Sequence, residues 1–187
     1  ATTLDWAAGG VSESTYASKS FSIGSQATGS YGGLFFSPDG TKMYVSDATS
    51  SSIYQYSLST AFDVSTASYD SISLDVSAQD TGVAGCCFNN DGTKFYFSGY
   101  ANDNVYEYAV STAYNLSTAT YTQSFSIAAQ ITTPQNLAFN NDGTKMFVID
   151  YGVAIYEYAL ATGFDISTAS YSSKSLTVSG QANDTRG

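Results

Sequence analysis

Apolar and polar residues follow a pattern of short strands along the chain. Residues 34–37 are a largely apolar run, as in a strand buried on both faces. Residues 42–46, 53–58 and 71–76 alternate with a period of two, and the last of them suits an outer strand with one wet face. Pro-Asp-Gly-Thr at 38–41 predicts a tight hairpin with Gly40 at the positive-φ position. The pattern therefore predicts four short antiparallel strands, named A to D in chain order.

This unit occurs three times. LFFSPDGTKMYV (34–45) returns as CCFNNDGTKFYF (86–97) and LAFNNDGTKMFV (137–148), and IYQYSLSTAFDVSTASY (53–69) returns at 105–121 and 155–171. Four antiparallel strands repeated about every 51 residues are typical of a β-propeller blade. The sequence therefore predicts an all-β chain of three four-stranded blades. Tyrosines that recur in register are assigned to the core: Tyr54, Tyr56, Tyr106, Tyr108, Tyr156 and Tyr158.

The predicted division of the chain leaves a ring incomplete. Residues 1–32 form an N-terminal connection with one extra outer strand near 19–23, and 33–83, 84–135 and 136–178 form the blades. Residues 179–187 begin a truncated next repeat. Propeller rings typically have 4–8 blades. We therefore expect a C2 homodimer that closes a six-bladed ring, with the extra strand completing a partner's blade. The alternative is a longer chain that carries further blades.

The repeat motifs carry a family resemblance. SPDGTKMYV (37–45), followed by YQYSLSTAFDVSTASY (54–69), resembles the YVTN/TolB-like β-propeller repeat proteins of marine bacteria and their phages. The resemblance covers residues 16–178 and implies a propeller fold. Such blades serve scaffolding, glycan binding and several enzymes, so the resemblance does not imply one activity.

Composition removes several kinds of chemistry. The 187 residues include no histidine, which excludes Ser-His-Asp and Cys-His catalysis and histidine-ligated zinc. The single arginine, Arg186, cannot supply the arginine cluster of a sialidase-like site. A formal charge of −10 disfavours nucleic acid as a partner, and no apolar run is long enough to span a membrane. Cys86 and Cys87 are expected to be small core residues.

One face of the predicted blades varies more than the other. The A–B hairpins and C–D loops are nearly invariant between repeats, whereas the D–A and B–C loops differ in length and chemistry. A binding site would produce this contrast, and so would drift of the loops. If a site exists, tyrosines would stack on a sugar ring and polar side chains would bind hydroxyls. These candidates are Tyr31, Tyr100, Tyr151, Asp47, Asn102, Asp103 and Asp150.

The function predicted at this stage is non-enzymatic. The acidic, Ser/Thr/Tyr/Gly-rich composition favours a recognition or structural module on a virion or cell surface, with a glycan or a host surface as its ligand. An extracellular or virion-associated location follows from that prediction. The first alternative is a hydrolase or lyase that uses carboxylates and a bound metal at the propeller mouth. The second is a pure assembly element.

No cofactor is predicted. The NNDG segments at 89–92 and 140–143 place oxygen ligands near a glycine, as calcium sites do. A hairpin turn requires the same residues, so calcium remains only an alternative interpretation.

Overall fold

The computed structural model describes residues 15–29, 32–152 and 154–180. They form three four-stranded antiparallel sheets, and each sheet keeps its strands in chain order, as the repeats predict. The first blade contains β1 (Leu34–Phe36), β2 (Lys42–Asp47), β3 (Ser52–Leu58) and β4 (Ala67–Asp75). The second contains β5 (Val83–Phe88), β6 (Lys94–Gly99), β7 (Asn104–Val110) and β8 (Ala119–Ser126). The third contains β9 (Pro134–Phe139), β10 (Lys145–Asp150), β11 (Ala154–Leu160) and β12 (Ala169–Thr177).

The predicted hairpin glycines adopt the left-handed conformation. Gly40, Gly92 and Gly143 have φ values of 70°, 73° and 69°. An aromatic residue of the C–D loop packs on each of them and is itself left-handed: Phe62, Tyr114 and Phe164. The C–D loops also contain short 3-10 turns at Val64–Thr66, Leu116–Thr118 and Ile166–Thr168. Hairpins and C–D loops therefore share one face of the blades, as predicted.

The apolar core lies between neighbouring blades. Tyr44 and Ile53 of the first blade pack in one cluster with Phe95 and Phe97 of the second. Of the tyrosines assigned to the core, Tyr54 and Tyr156 are half-buried and the other four are buried. The aromatic rings on the sheet faces thus pack neighbouring blades against each other.

The adjacent cysteines are buried and free, in agreement with the sequence prediction. Burial raises the pKa of the Cys86 thiol to about 12. A thiol with such a pKa is protonated near neutrality and unreactive.

Residues 15–29 pack on the first blade without joining a sheet. The predicted extra strand near 19–23 has no paired neighbour among the described residues, because no strand C lies beside it. Phe21 nevertheless packs edge-on against Tyr56, with ring centroids 5.6 Å apart. Half of the predicted N-terminal connection and most of the truncated repeat lie outside the described residues. Within the described ranges, no helix is long and apolar enough to cross a membrane.

Candidate active site on the loop face

The B–C and D–A loops lie side by side on the face opposite the hairpins. The Tyr100 N–H donates to the Gly82 carbonyl at 2.8 Å in the second blade. In the third blade the Tyr151 N–H donates to the Thr133 carbonyl at 3.0 Å. These backbone bonds join the two variable loops of a blade into one surface, which we call the loop face.

Asp47 and Asp150, both predicted to bind hydroxyls, bind loop backbone. Each ends a strand B and is at least nine-tenths buried. Asp47 accepts from the N–H groups of Thr28 and Thr49 at 3.1 and 2.9 Å. Asp150 accepts from the N–H and hydroxyl of Thr133 at 3.1 and 2.8 Å. Their main contacts therefore tie one loop to the other.

In the second blade Asp80 performs this task, and the sequence analysis missed it. Asp80 is 1% exposed and accepts from the N–H groups of Gly82, Ala101 and Asn102 at 2.7, 3.2 and 3.1 Å. It comes from the D–A loop, whereas the repeat position of Asp47 is taken by Gly99. A Cβ on Gly99 would lie 2.3 Å from Asp80 Oδ2. The sequence did contain a signal for this residue. The second repeat has an aspartate in its D–A loop, Asp80, and lacks the aspartate that ends strand B in the other two repeats.

Asp103 differs from these three carboxylates. It is half-buried, and its Oδ1 is shielded from solvent with no hydrogen-bond partner among the described residues. Desolvation and then the negative charges of Asp80 and Asp150 raise its pKa. Its φ is 53°, and its carbonyl accepts from the Ile127 N–H at 2.9 Å, so the backbone is fixed. A fixed, half-buried carboxyl with a raised pKa is suited to proton transfer.

The other candidates surround Asp103 unequally. Tyr100 and Asn102 lie in the same B–C loop, and Tyr100 is 41% exposed. The Asn102 side chain donates to the Gln79 carbonyl at 3.0 Å. Tyr151 occupies the equivalent place in the third blade and is 39% exposed. Tyr31 lies outside the described residues. The structure therefore places Asp103, Asn102 and an exposed tyrosine on one loop.

The loop face is uniformly acidic in the described part of the chain. Lys42, Lys94 and Lys145 begin strand B directly after the hairpin, on the opposite side. Lys19 binds Asp63 of a C–D loop, and Lys174 binds Glu157 in mid-strand. A ligand of the loop face therefore meets carboxylates and no described cation.

The residues present do not form a metal cage. Within the described ranges no group of three or more Asp, Glu or Cys side chains could hold one ion. In the NNDG hairpins, Asp91 accepts from the Thr93 N–H at 2.9 Å, and Asn89 accepts from the Lys94 N–H at 2.9 Å. These oxygen atoms hold their own turn.

Comparison with known proteins identifies structures of the same fold. No protein-family model and no curated protein sequence matches the chain. Candidate 6-phosphogluconolactonases of Bacteroides fragilis and Bacteroides uniformis match at 17% and 13% identity, with TM-scores of 0.56 and 0.54. They cover 77% and 79% of this chain, which covers 38% and 39% of theirs.

A third similar structure is the periplasmic gluconolactonase of Pseudomonas aeruginosa, at 18% identity and a TM-score of 0.52. It covers 76% of this chain, which covers 38% of it. The chain thus spans about two fifths of the length of these proteins. At such identities the likeness shows the fold, which is that of β-propeller blades.

These neighbours contradict the prediction of a non-enzymatic recognition module. The three similar structures described above are named as lactonases, which are hydrolases. The prediction was wrong because a chain without histidine and with a single arginine can still carry catalytic groups. A single carboxyl in the right environment can also transfer protons.

Proposed function

We propose that the chain is part of a hydrolase that opens lactones or similar cyclic esters, with Asp103 as its general base. The observation that carries the proposal is the half-buried carboxyl of Asp103, held on a fixed backbone near two other carboxylates of the loop face. The lactonase names of proteins with the same fold support the reaction class. The proposal takes up the alternative hydrolase interpretation of the sequence, without the bound metal that it included.

The proposed reaction uses one water molecule. Ionised Asp103 removes a proton from the water molecule while the oxygen of the water attacks the lactone carbonyl carbon. The ring C–O bond then breaks, and the leaving alkoxide takes the proton back from Asp103. The product is the open hydroxy acid, and Asp103 is again ionised. Because desolvation and neighbouring charge make it a stronger base than an ordinary aspartate, this role suits it.

The proposed substrate is a neutral, unphosphorylated sugar lactone. The exposed ring of Tyr100 offers a flat surface on which a sugar ring can stack. Asp80, Asp103 and Asp150 give the surroundings negative charge, which disfavours a phosphate group. Of the two names among the structural neighbours, gluconolactonase therefore fits this surface better than 6-phosphogluconolactonase.

We also propose a setting for this activity. The repeat motifs support membership of the YVTN/TolB-like propeller proteins, and the acidic composition supports an extracellular or virion-associated location.

Asp103→Asn tests the hydrolase. Asparagine keeps the shape and tolerates positive φ but cannot accept the proton. With glucono-1,5-lactone in a pH-stat, acid release above the spontaneous rate should fall by about 10²–10⁴-fold. The 6-phosphate of this lactone should be a poorer substrate at low salt, and the difference should shrink as salt screens the carboxylates.

The matched control is Asp91→Asn, the same change in the same blade on the hairpin face. It should retain wild-type activity. Wild-type protein that does not exceed the spontaneous rate, or an Asp103→Asn variant as active as Asp91→Asn, would refute the proposal.

A further inference from the structure

The three blades stack through one repeated pair of sheet faces. Tyr44 and Ile53 of the first blade pack on the second, and their repeat counterparts Tyr96 and Val105 pack on the third. We call this the forward face of a blade and the opposite one its rear face. Each rear face begins at strand B with Met43, Phe95 or Met146.

Specific polar bonds accompany each junction. The Leu116 N–H, at the start of a 3-10 turn, donates to Gln55 of the preceding blade at 2.9 Å. At the next junction the Ile166 N–H donates to Glu107 in the same way at 3.1 Å. Because the two bonds occupy equivalent repeat positions, they define a rule for how these blades dock.

The forward face of the third blade carries the same groups. Glu157 is the repeat counterpart of Gln55 and Glu107, and it lies 3.3 Å from the ammonium groups of both Lys145 and Lys174. Beside it, a groove of about 350 Å³ is lined by Phe147, Ile155 and Leu176, among others. Leu176 is 64% exposed. No following blade covers this face among the described residues.

The rear face of the first blade is partly covered by residues 18–23. They imitate strand D of a preceding blade: Ser18 has a φ of 57°, like Ser71 at 59° and Ser173 at 57° in β4 and β12.

The side chains that follow continue this imitation. Phe21 meets Tyr56 edge-on at 5.6 Å, as Phe125 meets Tyr158 at 5.7 Å. Lys19 binds Asp63 at 2.7 Å, where Gln123 binds Asp165 at 2.8 Å in the next repeat. The segment therefore occupies the place that the outer strand of another blade would take.

We propose that two copies of this chain close head to tail into a six-bladed ring, with residues 15–23 acting as a placeholder that leaves on closure. The forward face of each third blade then receives the rear face of the first blade of the other copy. Glu157 accepts the Val64 N–H of the second copy, and Lys174 replaces Lys19 on Asp63. A C2 axis makes the two junctions identical, which closes the ring.

The placeholder has to leave because β12 competes for its position. Lys19 and Phe21 are the repeat counterparts of Lys174 and Leu176, so both segments cannot occupy one junction. β12 is paired with β11 from Ala154↔Thr177 to Glu157↔Lys174, whereas residues 15–23 have no sheet partner in the described part of the chain. In the closed ring, β12 therefore occupies the junction, because it is already hydrogen-bonded within its own sheet. This arrangement also corrects the expectation that the extra strand completes a partner's blade, since the third blade has its own strand D.

Sedimentation equilibrium of the whole chain over a wide concentration range tests this proposal. Phe21→Ser loosens the placeholder without touching the docking faces of the blades. It should lower the dimer dissociation constant by on the order of tenfold for each junction. Leu176→Asp puts a charge at the centre of the forward face and should leave a monomer of 19.7 kDa, even when combined with Phe21→Ser.

Ser170→Asp is the control for charge, because it adds a carboxylate elsewhere on β12 and should keep the dimer. A Phe21→Ser variant that stays monomeric, or binds more weakly than wild type, would overturn the proposal. So would a dimer that Leu176→Asp does not disrupt, or masses that grow beyond the dimer. Asp103 lies on neither docking face, so the hydrolase and the ring can fail independently.

Discussion

At the scale of single residues, a buried carboxylate at each blade decides how the variable loops are held. Two blades take it from the end of strand B, as Asp47 and Asp150, and the middle blade takes it from the D–A loop, as Asp80. Each satisfies backbone N–H groups that would otherwise be buried and unpaired. The carboxylate is thus required by the buried N–H groups that need an acceptor, and it can come from either of two positions in the repeat.

This exchange predicts a rescue by double substitution. Asp80→Ala leaves several donors unpaired and should lower the free energy of unfolding by about 3 kcal/mol. Gly99→Asp alone should also lower the free energy of unfolding, since a Cβ there would clash with the Asp80 side chain. The double variant Asp80→Ala/Gly99→Asp recreates the arrangement of the first blade. Its free energy of unfolding should recover to within about 1 kcal/mol of the wild-type value. Urea denaturation gives the three values, and simple additivity would contradict the argument.

Asp103 predicts a conflict between stability and activity that depends on pH. Because its pKa is raised in the folded state, the folded protein favours its neutral form, and stability is lost as pH rises through that raised value. Asp103→Asn stays neutral at every pH. The variant should therefore melt at a higher temperature than wild type at pH 7, and the difference should vanish below the ordinary aspartate pKa. An equal difference at both pH values would rule out this cause.

At the scale of elements, the A–B hairpin and the C–D loop behave as one unit in every blade. The Tyr114 N–H donates to the Gly92 carbonyl at 3.0 Å, and the Tyr114 hydroxyl donates to the Asn90 carbonyl at 2.6 Å. These bonds hold an aromatic residue in the left-handed region, at a cost of roughly 1–3 kcal/mol in backbone energy. Its ring lies on the glycine and leaves no room for a side chain.

Gly92→Ala should therefore destabilise the protein by about 2 kcal/mol or more. Its φ of 73° disfavours alanine, and the added Cβ would lie 2.5 Å from the Tyr114 ring. Gly180→Ala is the matched control, since nothing lies within 4 Å of a Cβ there, and it should change stability by less than about 0.5 kcal/mol. Thermal melts of the two variants check the prediction, which fails if they coincide.

At the scale of the whole molecule, the sequence predicted the architecture well and the site only in part. Blade number, strand order and the left-handed Gly40 followed from local pattern, because each blade repeats the same local rules. Asp80 was missed, because its role becomes visible only when it is considered together with a glycine nineteen positions away in the chain, Gly99. Asp103 was named as a ligand for hydroxyls, but its unpartnered oxygen and its neighbouring charges appear only when loops of different blades meet.

The exchange between Asp80 and Gly99 has a consequence for how such a gene can change. Repeats this similar invite recombination between misaligned copies. A crossover between codons 80 and 99 would pair Asp80 with an aspartate from another repeat, or leave a blade with neither carboxylate. The first product has two carboxylates at one buried site between the loops, and the second leaves backbone donors unpaired. Viable duplications and losses of blades should therefore break outside this interval and inherit the two residues together.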